Sequence, residues 1–181
     1  MDIVRLQSDE GEQIEYIDEI VAQGGMKDVY FSPDKTYAVA FYREPLDSNS
    51  CERLKAIYGP YRQGIFENKG GEFWSDLFCW PQSIVRKGNL IGIVVPFFRP
   101  NYFFSYGSIK DDILKIRGKE KEGKWFASAS NRSKFLDPRE KGNWLSHLQI
   151  CLSISRAVRR LHAAGLAHSD LSYKNVLIDP T

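Results

Sequence analysis

The chain is poor in the residues that close disulfides and hold metals. It has three cysteines (Cys51, Cys79, Cys151) and three histidines in 181 residues. The cysteines are odd in number, widely spaced and form no C-x-x-C pair. That excludes a disulfide framework and a zinc site as organising features, and a reducing cytoplasm is the simplest expectation. Long apolar runs are missing as well. The longest, Leu90 to Phe98, contains Gly92 and Pro96 and is far too short to span a bilayer, so no membrane is expected as a partner. Met1-Asp2-Ile3-Val4-Arg5 shows no basic segment leading into an apolar one, so no secretory signal is read there. Excess charge is lacking too. With 25 basic and 23 acidic residues the net charge is +2, which rules out general polyanion binding by charge alone. A hydrophobic content of 43% suffices for a core in one domain, or in one domain and part of another.

What charge asymmetry exists is local. Residues 101–141 carry ten Lys/Arg against six Asp/Glu. Ile109, Ile113 and Ile116 predict a short helix, and Gly118 to Ser133 reads as a mobile, solvated basic loop. The 110–141 stretch lacks aromatic interleaving and any base-reading motif, so nucleic acid is not the expected partner, although the charge leaves it open.

The organising stretch lies near the end: His168-Ser169-Asp170-Leu171-Ser172-Tyr173-Lys174-Asn175-Val176-Leu177-Ile178. Asn143 caps a helix from Trp144 to Ala164 whose apolar positions recur at Leu148, Cys151 or Leu152, Val158 and Leu161, and Gly165 ends it. A polar turn holding His168, Asp170 and Asn175 follows, and the apolar run Val176-Leu177-Ile178 leaves it as a strand. The spacing H-x-D-x-x-x-x-N resembles the catalytic loop of protein kinases.

The first hundred residues are consistent with that resemblance. Ile14 to Val21 predicts a strand, with residues 1–13 an edge strand or loose arm. Gly24-Gly25 makes a turn in which glycine allows positive φ and close approach of the backbone. Val29-Tyr30-Phe31 and Tyr37 to Tyr42 are further strands. A helix from Cys51 to about Tyr58, capped by Asn49 or Ser50, comes next. Phe73 to Pro81 is aromatic and reads as core. Ser83–Arg86 and Leu90–Val95 form a final strand pair running into Pro96, Phe97 and Phe98. The fold class implied is α+β. A protein kinase-like small lobe over 1–98, an antiparallel five-stranded sheet plus a helix, precedes the hinge, basic insertion, E-like helix and catalytic loop of an incomplete large lobe over 99–181.

The resemblance implies ATP and Mg²⁺ as cofactors and a protein as substrate or partner. Gly24 and Gly25 would lie over the phosphates. Val29 and Ala40 would line the adenine, with Pro96, Phe97 and Phe98 as the hinge and Val95 guarding the back pocket. The third strand departs from the family, because Tyr42 stands where its lysine belongs. Ala40 and Tyr42 share one strand face and Arg43 the other, so Arg43 does not simply substitute. Lys27, beside the glycine turn, is placed like the lysine of the with-no-lysine kinases; the plain alternative is a solvated hairpin lysine. Glu52 has the position of the acid that pairs with the family lysine and is read as a first-turn acid. Asp170 would accept or orient the substrate hydroxyl, Asn175 would hold a metal ion, His168 would order the loop, and Lys174 lies where tyrosine kinases carry an arginine. Ser169 replaces the Arg of H-R-D. An Asp-Phe-Gly does not occur in these residues, so the 181-residue chain alone is expected to be inactive. The implied activity is transfer of phosphate from ATP to a Ser/Thr hydroxyl. The alternatives are a pseudokinase that binds nucleotide or docks protein, and an aminoglycoside-type small-molecule phosphotransferase.

Overall fold

The computed structural model describes residues 2–67 and 70–181. The chain divides into two compact units, Met1–Phe97 and Phe98–Thr181. In the first, β1 (Ile3–Gln7) and β2 (Gln13–Ile17) form a hairpin with Ile3 opposite Ile17. A five-stranded sheet follows, built from β3 (Ala22–Gln23), β4 (Lys27–Phe31), β5 (Tyr37–Tyr42), β6 (Ser83–Lys87) and β7 (Leu90–Pro96). Its order is β3-β4-β5-β7-β6, and each neighbouring pair is antiparallel. The strand expected from Ile14 to Val21 is therefore split from the sheet. Its first residues, through Ile17, turn back on residues 3–7, and the strand that joins the sheet is Ala22–Gln23, just past the expected range. Burial decides the split: Ile14 and Tyr16 alternate inward and pack on Val39, Phe41, Val85 and Val94, covering one sheet face.

The other sheet face buries Ala40, Ile84, Ile91 and Ile93 against Leu54. Leu54 belongs to α1 (Ser48–Ala56), which starts at Asp47 rather than Asn49 or Ser50. The Asp47 carboxylate accepts from the Ser50 N–H at 2.8 Å and the Ser50 hydroxyl at 2.9 Å, the ordinary way an acidic cap satisfies an orphan donor. With that start, Glu52 lies past the first turn and is exposed. The helix does not stop at Tyr58. It continues through a π-helical turn, Ile57–Tyr61, that accommodates Pro60, into α2 (Arg62–Phe66). The aromatic stretch expected as core forms α3 (Gly71–Leu77) and a chain of ring contacts among Phe66, Trp74, Phe78 and Trp80, none of them fully buried.

Gly92 is fixed by packing. A Cβ there would sit 2.7 Å from the Phe41 ring and 2.9 Å from Val85. Gly92→Ala must push the ring out of the core and is expected to cost about 1–3 kcal/mol, read from the midpoint of urea unfolding.

In the second unit, Phe104, Ile116, Phe126, Leu136 and Ile178 form the core. The region expected as a mobile basic loop is part of it. It contains α5 (Lys124–Ala127) and α6 (Ala129–Phe135), after the short turn α4 (Ile109–Asp112). α4 is no ordinary helix: Lys110, Asp111 and Asp112 have φ of 54°, 52° and 66°. The Asp112 carboxylate holds this turn by accepting from the N–H groups of Ser108, Ile116 and Arg117. Burial raises its pKa, but those bonds outweigh it and the result is about 2. Val176–Ile178 is not a strand; it meets the 120–123 segment through a single Glu122–Leu177 bridge and the Ile178 N–H on the Lys121 carbonyl.

The last helix, α7 (Trp144–Ala163), is capped by Asn143, whose side chain accepts from the Ser146 N–H while the Ser146 hydroxyl accepts from the Asn143 N–H. Gly165, at φ +81°, ends it. Of the apolar positions that recur along α7, Leu161 is buried, whereas Leu148 and Leu152 are exposed, as are Trp144 and Leu145. Among the described residues no helix is long and apolar enough to cross a membrane.

Candidate functional site

In the first unit the residues of interest converge on the β3–β4 turn. Neither Gly24 nor Gly25 adopts a positive φ, so the turn does not need glycine for its backbone angles. Packing does not require glycine either: a Cβ on Gly25 would meet nothing within 4 Å, and one on Gly24 only the Lys27 carbonyl oxygen at 3.7 Å. The turn closes through the Gly24 N–H on the Lys27 carbonyl at 2.9 Å.

Lys27 opens β4 directly opposite Tyr42 of β5, so the two side chains share a face. The Lys27 ammonium lies 4.5 Å from the centre of the Tyr42 ring, a cation–π contact. The one lysine near the turn is thus on the residue that stands where a third-strand lysine would be. Val29 and Ala40 are the next cross-strand pair but one on the same face; Ala40 is buried among Leu54, Ile84, Ile91 and Ile93. At the end of β7, Pro96 has no N–H, and the Phe97 N–H is engaged by the Thr36 carbonyl at 3.0 Å. Of the three hinge positions, these two have no backbone N–H to offer a base edge. Phe98 is exposed. A cleft lined by Gln13, Glu15, Asp34 and Tyr37 is on the hairpin side of the sheet and contains none of these residues.

In the second unit the polar turn after α7 is held by its own side chains. The Asn175 Nδ2 donates to the Asp170 carbonyl at 2.8 Å and to Asp170 Oδ2 at 2.9 Å. Both amide hydrogens are thereby used, which leaves Oδ1 as the acceptor. The Asp170 N–H donates to His168 Nδ1 at 3.3 Å. Asp170, Asn175, His168 and Lys174 are all exposed. Among the described residues there is no group of three or more His, Cys, Asp or Glu that could hold a metal ion; one amide oxygen and one carboxylate are what this turn offers a hard cation.

Below the turn lies an ionic cluster absent from the sequence reading. Lys121, 3% exposed, bonds Glu140 at 3.1 Å and Asp179 at 3.3 Å. Glu140 also accepts from the N–H groups of Tyr106 and Gly107, and Asp179 accepts from Asn101 at 2.9 Å. Burial raises the Asp179 pKa, but bonds from Asn101 and Thr181 and the Lys121 charge together hold it below the usual carboxylate range. These contacts anchor Asp179, four residues past Asn175, to the core.

The solved kinase domain of a Toxoplasma gondii specific rhoptry antigen matches the chain with a TM-score of 0.54 at 16% identity, covering 99% of this chain and 50% of its own. The chain has a protein-kinase-like fold. The five-stranded antiparallel sheet with α1 on one face is the kinase small-lobe arrangement. A dual serine/threonine and tyrosine protein kinase of Apis mellifera is 46% identical over 37 residues, 20% of this chain and 4% of that protein. No family profile matches. The chain spans half the length of the solved kinase domain and a small part of the honeybee protein.

Proposed function

We propose that this chain carries the nucleotide-binding half of a protein kinase-like phosphotransferase that moves phosphate from Mg²⁺-bound ATP to a Ser/Thr hydroxyl of a protein in the cytoplasm. The observation that carries this reading is the Asn175 amide bound to Asp170 within H-x-D-x-x-x-x-N. It leaves an amide oxygen for a cation and fixes a carboxylate five residues away. Asp170 would orient the substrate hydroxyl and take its proton. Asn175 Oδ1 would be one ligand of Mg²⁺, which when bound neutralises phosphate charge. Lys27 would meet the phosphates beneath the Gly24-Gly25 turn. These residues contain no Asp-Phe-Gly, so the 181-residue polypeptide would bind nucleotide without transferring phosphate.

Lys27 and Tyr42 provide the test. Calorimetry with Mg²⁺ and a non-hydrolysable ATP analogue is expected to show binding, and Lys27→Met to weaken it about 10- to 100-fold, the value of one or two charge-assisted hydrogen bonds. Because the two positions face each other, adding Tyr42→Lys to Lys27→Met should restore most of the affinity. No binding by the parent, or no loss on Lys27→Met, sinks the reading. Tyr42 at the lysine position is also what favours the second reading, a pseudokinase, whose mark would be nucleotide binding with no transfer in any longer form. An aminoglycoside-type phosphotransferase would phosphorylate small-molecule hydroxyls instead; Ser169 replaces the glycine usual there.

A further inference from the structure

Arg43 follows Tyr42, the last residue of β5 and the partner of Lys27, and alternation puts its side chain on the side opposite Tyr42. It is therefore not a replacement for the lysine. What it grips is the turn. Its Nη2 donates to the Gly24 carbonyl at 2.5 Å and to the Gly25 carbonyl at 2.6 Å. Its backbone N–H donates to the Met26 carbonyl at 3.1 Å. Three successive carbonyls of the turn thus end on one residue.

A trans peptide places each carbonyl antiparallel to the N–H of the next residue. Drawing the Gly24 and Gly25 carbonyls toward Arg43 turns the N–H groups of Gly25 and Met26 the other way. Successive N–H groups facing one side make an anion-binding concavity. The guanidinium is itself steered: its Nε lies 3.8 Å from Asp28 Oδ1, and the Gln23 Nε2 donates to the same oxygen at 3.2 Å. Asp28 on β4 and Arg43 just after β5 are therefore in contact with one another across the strand pair.

We propose that Arg43 is a positioning residue for nucleotide phosphates, holding the Gly24–Met26 turn by its carbonyls so that the Gly25 and Met26 N–H groups are aimed at the phosphates before they bind. This rests on the nucleotide-binding reading above. Pre-aimed donors bind more tightly because the ordering cost is met in advance. Arg43 itself need not touch the nucleotide, and the carbon–nitrogen geometry makes lysine a poor substitute. A lysine nitrogen falls about one bond short of Nη2 and lacks the planar fork.

The test uses Arg43→Met, Arg43→Lys and Asp28→Ala in the 181-residue chain, with circular dichroism to confirm folding. Calorimetry compares Mg²⁺ with a non-hydrolysable ATP analogue against adenosine, and ¹⁵N relaxation reports the order of Gly24, Gly25 and Met26 without ligand. The expected result is an about 5- to 10-fold loss of analogue affinity in Arg43→Met, with adenosine unchanged. Arg43→Lys should resemble Arg43→Met, and Asp28→Ala should lose less in the same direction. The backbone order parameters of the turn should drop from near 0.85 to below about 0.6 in Arg43→Met. Arg43→Lys binding like the parent would mean that charge, not positioning, matters, and overturns the proposal. So would equal loss of adenosine, or an unchanged turn. If the parent binds adenosine and not the analogue, or neither, the nucleotide reading fails and the phosphate role falls with it. The relaxation data would still report the clamp separately.

Discussion

Lys121→Met is expected to destabilise the second unit by about 3–5 kcal/mol, the cost of removing one member of a buried ionic cluster. Lys121 is 3% exposed and bridges Glu140 and Asp179. Methionine fills similar volume, so the loss is electrostatic rather than a cavity. It leaves two acids without their cation, and Glu140 is 2% exposed. At about 4–8 °C per kcal/mol for a unit of this size, the shift should be plain in a thermal scan at pH 7. The pH dependence separates this mechanism from loose packing. In the parent, the Asp179 pKa is lowered, so its contribution is present above the unfolded carboxylate pKa and is lost as pH falls through the folded value. In Lys121→Met, Asp179 loses the Lys121 charge that helps hold its pKa down, so less of the variant's stability is lost as the pH falls. The gap between parent and variant should narrow from pH 7 to pH 4. A gap under about 1 kcal/mol at pH 7, or one that widens with acid, would show that the cluster does not hold this unit together.

The same lysine shows where sequence reading stopped. The strand pattern of β4, β5, β6 and β7 and the cap-to-glycine span of α7 were legible because each is local. Alternation puts Phe41 and Ala40 on opposite faces from neighbouring residues alone, and Asn143 and Gly165 mark the helix ends without reference to anything distant. By composition Lys121 is one of ten basic residues over 101–141 and falls in the stretch, Gly118 to Ser133, that reads as a solvated loop. Its partners lie 19 and 58 positions away, and a buried lysine has the same letter as an exposed one. The isoleucine spacing around 110–112 predicts a helix; the Asp112 carboxylate, by accepting three backbone N–H groups, stabilises left-handed residues that the spacing cannot reveal. The β1–β2 hairpin was missed for a related reason. Ile14 and Tyr16 have strand periodicity in either arrangement, and only packing on Val39 and Phe41 decides which partner they take. At the site, His168, Asp170 and Asn175 were legible as a spacing. Strand alternation separates Arg43 from the lysine position; its grip on the Gly24 and Gly25 carbonyls depends on turn geometry that composition does not encode.

Asp170→Asn isolates the chemistry from the fold. Asparagine keeps a side-chain carbonyl oxygen at position 170, so the Asn175 amide retains an acceptor in place of Oδ2 and also keeps the Asp170 backbone carbonyl. The turn should survive, and so should the order that His168 gives it. What disappears is a negative charge and a proton acceptor. In a polypeptide that continues past Thr181 through an Asp-Phe-Gly segment, phosphotransfer to a protein hydroxyl is expected to fall about 10²- to 10⁴-fold, the range for loss of a positioned general base. Nucleotide affinity should change by less than about twofold, because Asp170 would act on the hydroxyl and not on the phosphates. Asn175→Ala is the opposite probe. It removes the amide oxygen offered to a cation and frees the Asp170 carboxylate, so it should weaken binding of the Mg²⁺ complex while leaving affinity for the metal-free nucleotide near the parent's. If Asp170→Asn and Asn175→Ala give the same pattern, the two residues act only as a structural pair, and the assignment of acid and metal ligand fails. If both leave transfer untouched, the catalytic reading of the turn fails altogether.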